Sequence, residues 1–252
     1  MIILNKDNYF TDESRALTNS KLGDYLRCKD YFKRKHIDHT VNFKRTAAMI
    51  TGSVVDDLLT QDYISENYIV GDKRLKAFKN REDVTVISQT AYDEMMGLAI
   101  AVEGSSAFRD LKDYQRQVIF QKEWDLGPYF DSIAGIPDFF KIDGDKCIIV
   151  DLKTSTTIDP WMYTKHADDM GYYRQQAFYQ ILIHIAHPEV KKFESRHLVV
   201  DKQKDIYNVG TFILDQDKIE FEKEQIFDLF EEISKEREFK KKDATWADAV
   251  KI

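Results

Sequence analysis

The sequence predicts an α/β protein with a central mixed β-sheet flanked by helices. Three observations lead there. Helical periodicity dominates roughly the first 110 residues. Aromatic and β-branched runs of strand length then crowd the stretch up to residue 153, with Asp143-Gly144-Asp145 as a turn signal between two of them. A helical pattern next separates these strands from a later pair, and the order helices, strands, helix, strands is that of an α/β fold.

Residues 19–36 read as a helix with Leu22, Tyr25, Leu26 and Phe32 on one stripe and Ser20 as its expected capping residue. Residues 46–63 read as a second helix, with Ala47, Ile50, Val54, Leu58 and Tyr63 facing inward, and residues 88–103 as a third, capped by Ser88. Strands are expected near 117–124, 129–141 and 146–153. Asp159-Pro160 is a helix start, with an acceptor at N-cap and proline at N1. The helix at 171–186 carries the stripe Phe178, Ile181, Leu182 and Ile185, with Gln175 and Tyr179 together on its flank. Strands near 194–202 and 206–214 follow, then an acidic amphipathic helix to about residue 240. Lys240-Lys241-Lys242 is its expected solvated end.

Composition fits a soluble intracellular enzyme. A chain of 252 residues can bury a substantial core as one domain: a mainly helical part over 1–110, a core over 115–215, and a C-terminal helix and tail over 216–252. Two cysteines provide no disulfide framework, which suits a reducing, cytoplasmic compartment. No apolar run is long enough to span a membrane, and Met1-Ile2-Ile3-Leu4 lacks the h-region of a signal peptide. No Gly-x-x-x-x-Gly-Lys-Ser/Thr loop occurs, so no ATP motor is expected.

The chemistry concentrates between Gly135 and Thr154. With Gly144-Asp145 as the hairpin loop, Asp143 pairs with Lys146 and Asp138 stands opposite Asp151. With Asp143-Gly144 as the loop, Asp138 pairs with Ile149 and lies diagonal to Asp151. Both registers leave the two carboxylates on one face, and Lys153 shares it. Like charges with Cβ atoms about 5 Å apart repel, and a hard divalent cation reverses that interaction. The alternative is a pair of strand-end aspartates in water.

Pro137-Asp138, a twelve-residue gap and Asp151-Leu152-Lys153 resemble the PD-(D/E)XK nuclease signature. Thr18-Asn19-Ser20-Lys21-Leu22 with Tyr25, Cys28 and Phe32 is similar to the opening helix of RecB-type nuclease domains. Gly52 to Asp56 falls at their Gly-x-x-x-His motif, and Gln175 to Tyr179 matches their Gln-x-x-x-Tyr motif. The chain looks closest to phage and prophage exonucleases of the RecE (exonuclease VIII) and lambda-exonuclease kind.

The resemblance implies a restriction-endonuclease-like core with an N-terminal helical elaboration, and a metal-dependent deoxyribonuclease acting on linear DNA. Asp138, Asp151, the Leu152 carbonyl and Asp56 would hold Mg²⁺ or Mn²⁺, and Lys153 would position water and stabilise charge on the phosphate. Asp56 stands where relatives carry histidine; Asp56 and Asp57 equally read as a solvated pair. Relatives with an iron–sulfur cluster need four cysteines, so none is expected here. Gln175, Tyr179, Arg174 and Ser20 are candidate strand contacts. The net charge of −7 opposes nucleic-acid binding, but the segment holding Arg27, Lys29, Lys33, Arg34, Lys35, Lys44 and Arg45 interleaves Tyr31, Phe32 and Phe43 and reads as a DNA-binding stripe or a solvated face. The implied setting is a bacterial or phage-infected cell, with end processing beside a single-strand annealing protein and assembly as a homo-oligomer. A structure-selective or nicking endonuclease, and a catalytically silent DNA-end-binding protein, are the alternatives. Glu123 reads as a further ligand or ordinary strand polarity, His184 and His187 as surface residues near a helix C-terminus, and His36 and His39 as flanks of the basic segment within reach of phosphate rather than as a zinc site.

Overall fold

Two helical layers enclose a mixed sheet in the computed structural model, which describes residues 9, 15–41, 43–61, 65, 67–72, 74–75, 84–203 and 206–236. The N-terminal part comprises β1 (Ala16–Leu17), α1 (Asn19–Arg27), α2 (Lys29–His36), α3 (Ala47–Thr60), β2 (Tyr68–Val70), β3 (Thr85–Ile87), α4 (Gln89–Gly104) and α5 (Ser106–Arg109). Then come β4 (Gln115–Arg116), β5 (Phe120–Glu123), β6 (Ser132–Gly135), β7 (Phe139–Asp143) and β8 (Lys146–Ser155). The chain continues through α6 (Pro160–Asp169), α7 (Tyr172–Ala186), β9 (Lys192–Asp201), β10 (Val209–Ile213) and α8 (Gln216–Lys235).

The main sheet has the order β10-β9-β8-β7-β4. Strand β8 runs antiparallel to β7 and parallel to β9, and the β8–β9 crossover is made by α6 and α7. Alternation along the strands divides the core. Phe140, Cys147 and Ile149 face α7 and α8, while Phe139, Val150 and Leu198 face α3 and α4. This is a restriction-endonuclease-like α/β architecture.

Asp143 pairs with Lys146, so the hairpin loop is Gly144-Asp145, the first of the two expected registers. Gly144 has φ +58°, as the first loop position of a type II′ turn requires.

Four expectations change. The helix expected over 19–36 is two helices, because Cys28 is extended at φ −166° and ψ 111°. The elbow lets Phe32 fold back edge-on to Tyr25 at 5.2 Å, and Asp24 ties it by accepting from Lys35 (2.7 Å) and meeting His36 (2.8 Å). Thr18, not Ser20, caps α1, accepting from the Lys21 N–H at 3.4 Å, and Leu26 is exposed. The strand expected over 129–141 divides at Ile136-Pro137-Asp138 into β6 and β7, which join different sheets; β6 sits between β1 and β5. The run expected at 117–124 is strand only over β5; Gln117, at φ +46°, separates β5 from β4, which lies before the expected run. The two-stranded β2–β3 sheet, β1 and α5 are too short to leave a periodic signal. Tyr63, Lys240-Lys241-Lys242 and Met1 to Leu4 lie outside the described residues.

Gly135 is the close-approach point between β6 and α7. A Cβ there would lie 2.8 Å from Leu182 Cδ1 and 3.2 Å from the Tyr179 ring. Gly135→Ala is expected to lower stability by about 1–3 kcal/mol through overpacking, read by chemical denaturation. It should also displace the Tyr179 ring in protein that is still folded, read as a change in near-UV circular dichroism.

Candidate functional site

The site forms where the sheet loses a strand. Pairing of β7 with β8 stops at Phe139 and Val150, because Pro137 has no N–H and the chain turns away. Beyond that point Asp151 to Ser155 pair only with β9. The Asp138 carboxylate takes the vacated place, accepting the Leu152 N–H at 2.7 Å. Pro137 thus ends the ladder, and Asp138 beside it sets a carboxylate next to Asp151.

Asp56 arrives from the opposite helical layer. Gly52 and Asp56 share a face of α3, and a Cβ at Gly52 would sit 3.8 Å from Thr154 Oγ1, so the helix passes close over the end of β8. Gln117 joins the two sides. Its backbone N–H donates to the Asp138 carbonyl (3.0 Å) and its side-chain amide to Asp56 Oδ2 (2.9 Å). Asp57 points elsewhere, holding Gln61 and the Ser65 N–H at 2.9 Å each, so the two aspartates are not a solvated pair.

Lys153 donates to Asp151 and, at 3.0 Å, to Gln175 Oε1; the Gln175 amide in turn donates to the Tyr179 hydroxyl at 3.0 Å. The Lys153 ammonium also lies 4.6 Å from the centroid of the Tyr172 ring. Asp151 is only 1% exposed.

Electrostatics records the crowding. Burial, then Asp151 and Asp138's other acidic neighbour Asp56, push the Asp138 carboxyl well above its ordinary range. Burial, Asp151 and Asp57 push Asp56 up to about 7. Burial opposes charge on Lys153, but Asp151 and Asp138 outweigh it and raise its pKa. Three carboxylates therefore share a low-dielectric corner with one lysine.

Among the described residues no three Asp, Glu, His or Cys side chains form a preset metal cage. The donor set nevertheless suits a hard divalent cation. Its carboxylates repel one another, and Asp56 Oδ1 is buried without a hydrogen-bond partner. Cysteines play no part: Cys28 is exposed at the α1–α2 elbow and Cys147 lies in the core.

The cleft over this corner has a volume of about 370 Å³, with Asp56, Leu152, Lys153, Tyr172 and Met170 in its walls. Other expected contacts lie apart from it. Arg174 Nε donates to Asn19 Oδ1 at 3.1 Å, packing α7 on α1. Ser20 and Arg27 are exposed on α1. Much of the basic stripe is neutralised internally: Lys29 pairs with Glu232, Lys33 with Asp38 (2.5 Å), Arg34 with Asp30 (4.0 Å) and Lys35 with Asp24. Glu123 is exposed on the three-stranded sheet, and His184 bonds the Val190 carbonyl. Sequence reasoning missed Gln117 and His197. His197 is fully buried opposite Asp151, with Nδ1 2.8 Å from the Tyr163 hydroxyl, and nothing in an apolar strand pattern marks it as different.

A hairpin that brings two aspartates and a lysine to the broken edge of a mixed sheet defines the PD-(D/E)XK class of fold. The chain belongs to the family described as "PDDEXK-like domain of unknown function (DUF3799)", which it matches over residues 18–245. Among solved structures it is similar to a Eubacterium rectale protein named "Putative exonuclease", with 15% identity and a TM-score of 0.67 over 93% of this chain and 87% of that one. A second, SSO0001, shares 16% identity over 72% of this chain and 86% of that one, but its TM-score of 0.32 carries no weight. No curated protein matches the chain. Among the described residues no helix is long and apolar enough to cross a membrane.

Because the carboxylates repel, Asp138→Asn should raise the melting temperature in EDTA. Mn²⁺ or Mg²⁺ at 100 times its Kd should stabilise the wild type by about 2.7 kcal/mol and the variant much less. Thermal melts with and without metal check both; a metal-induced rise retained in full by the variant would remove Asp138 from the ligand set.

Proposed function

We propose that the protein is a Mg²⁺- or Mn²⁺-dependent deoxyribonuclease that shortens linear DNA from its ends. The observation behind this reading is the Lys153 ammonium held between Asp151 and Gln175 at the corner where Asp138 and Asp56 converge. An ordinary structural ion pair has no use for two further buried carboxylates beside it.

Asp138, Asp151 and Asp56, with the Leu152 carbonyl, are the residues to hold the metal. When bound, the cation supplies Lewis acidity toward the phosphoryl oxygen and lowers the pKa of water. Lys153 has three N–H donors; Asp151 and Gln175 engage two, leaving one for a phosphoryl oxygen or the attacking water. As water attacks phosphorus and the bond to the leaving oxygen breaks, the ammonium faces the developing charge. Gln175 and Tyr179 fix the direction of that ammonium, and the Tyr172 ring covers it from the side.

The exonuclease label of the Eubacterium rectale fold neighbour is of the same kind as this reading. End processing for recombination, beside an annealing protein and as an oligomer, is the role the family resemblance suggests.

The test is digestion of end-labelled linear duplex, single-stranded and closed circular DNA with Mg²⁺, Mn²⁺ or EDTA. Metal-dependent loss of linear DNA alone is expected. Lys153→Ala should slow it about 10²–10³-fold. Cleaved circles would make the enzyme an endonuclease, and binding without cleavage in either metal would make it a silent end-binding protein.

A further inference from the structure

The internal pairing of the basic stripe leaves a question of charge: which cations meet the phosphates beyond the scissile one? Lys202 stands out. Its backbone N–H donates to the Ser155 carbonyl at 2.9 Å, continuing the β8–β9 ladder past Ser155 and Asp201. The ammonium has no carboxylate partner among the described residues. Burial lowers its pKa with no acid opposing the shift. A half-buried lysine in that state gains from an arriving anion.

Its position supplies the second half of the case. Lys202 lines the catalytic cleft and also a larger groove of about 1040 Å³ between α3, α4 and the segment after β9. The two clefts flank the first turns of α3, so Lys202 is where they meet. Lys153 and Lys202 both line the 370 Å³ cleft, so one strand lying in it can meet both ammoniums.

The groove is shaped for bases rather than for a duplex backbone. Ile50, Met95, Leu98 and Tyr207 give it an apolar and aromatic lining, with Asp72, Arg74 and Glu94 as its charged members besides Lys202. The Tyr207 ring lies against Gly97 of α4, where a Cβ would come within 2.5 Å of it. A glycine in mid-helix is unfavourable against alanine; here it makes the space in which the ring lies. An apolar surface with an aromatic wall and a cation at its mouth is the combination that binds single strands, the bases stacking and the phosphate meeting the charge.

We propose that Lys202 binds the phosphate adjoining the scissile one, and that the groove holds the neighbouring nucleotides as a single strand with a base against Tyr207. This rests on, and deepens, the nuclease reading. Lys202 supplies a cation at the cleft where the pairing of Lys29, Lys33, Arg34 and Lys35 has removed four from the stripe.

The test is fluorescence anisotropy of a labelled single-stranded oligonucleotide in EDTA across a salt series, with cleavage of linear DNA measured in parallel. Lys202→Ala and Lys202→Gln should weaken binding and lower the slope of log K against log salt by about 0.7, one single-strand phosphate contact. Lys202→Arg should keep the slope. Tyr207→Ala should weaken binding at least about fivefold with the slope unchanged. Lys122→Ala, exposed on β5, is the control and should change neither. A wild-type slope in folded Lys202→Ala and Lys202→Gln, an equal loss in Lys122→Ala, or no single-strand binding by the wild type would each overturn the proposal. A Lys202-dependent slope without cleavage would sink the nuclease reading and keep the strand track; cleavage with a Lys202-independent slope would do the reverse.

Discussion

The bond from the Leu152 N–H to the Asp138 carboxylate is the interaction on which the site depends. A central strand normally has both edges satisfied by backbone, and a buried amide left unpaired is costly. Pro137 prevents β7 from continuing, so β8 runs five residues with a neighbour on one side only. Asp138 satisfies the first orphaned amide and is thereby fixed beside Asp151. The same gap lets α3 approach from the other layer, because no strand intervenes between Asp56 and the open edge of β8. A defect in the ladder, stabilised by a side chain, becomes a place where three carboxylates meet.

Those carboxylates are held against their repulsion by neutral groups. Gln117 bridges Asp138 and Asp56 from a left-handed conformation, φ +46°, that costs a residue with a Cβ on the order of 1–3 kcal/mol. Gln175 and Tyr179 brace Lys153 without adding charge. The core beneath is continuous on both faces of the sheet, which gives this charged corner rigid walls. Rigidity matters because electrostatic stabilisation acts only when the groups already point at the reacting atoms.

Much of this was legible in the residues themselves. The hairpin and its parity follow from the spacing of Asp138, Asp151 and Lys153 around a glycine turn, and side-chain alternation does the rest. Ser88 and Asp159 cap their helices as expected, each accepting from an N–H three residues on. The break at Ile136 to Asp138 shows in the sequence as a proline, yet residues 129–141 read as one strand, since the flanking residues on both sides favour extended backbone. The Cys28 elbow leaves no trace in periodicity, because a bend between two short helices keeps apolar residues near their helical spacing. Gln117 and His197 were invisible for a plainer reason: each acts only through residues far away in sequence.

Local geometry was readable along the chain: most helix and strand runs, where the hairpin turns, and that two aspartates and a lysine share one face. Periodicity, turn residues and caps act over a few residues, so they can be read in order along the chain. Which charges remain free is settled by how distant segments pack. Lys29, Lys33, Arg34 and Lys35 look like a phosphate-binding stripe in the chain and are paired with acids in the fold, Lys29 with Glu232 some 200 residues away. Lys202, an ordinary strand-end lysine in the sequence, faces two clefts without a partner among the described residues. Pairing depends on distances between distant segments, and those are set by how the layers pack on the sheet.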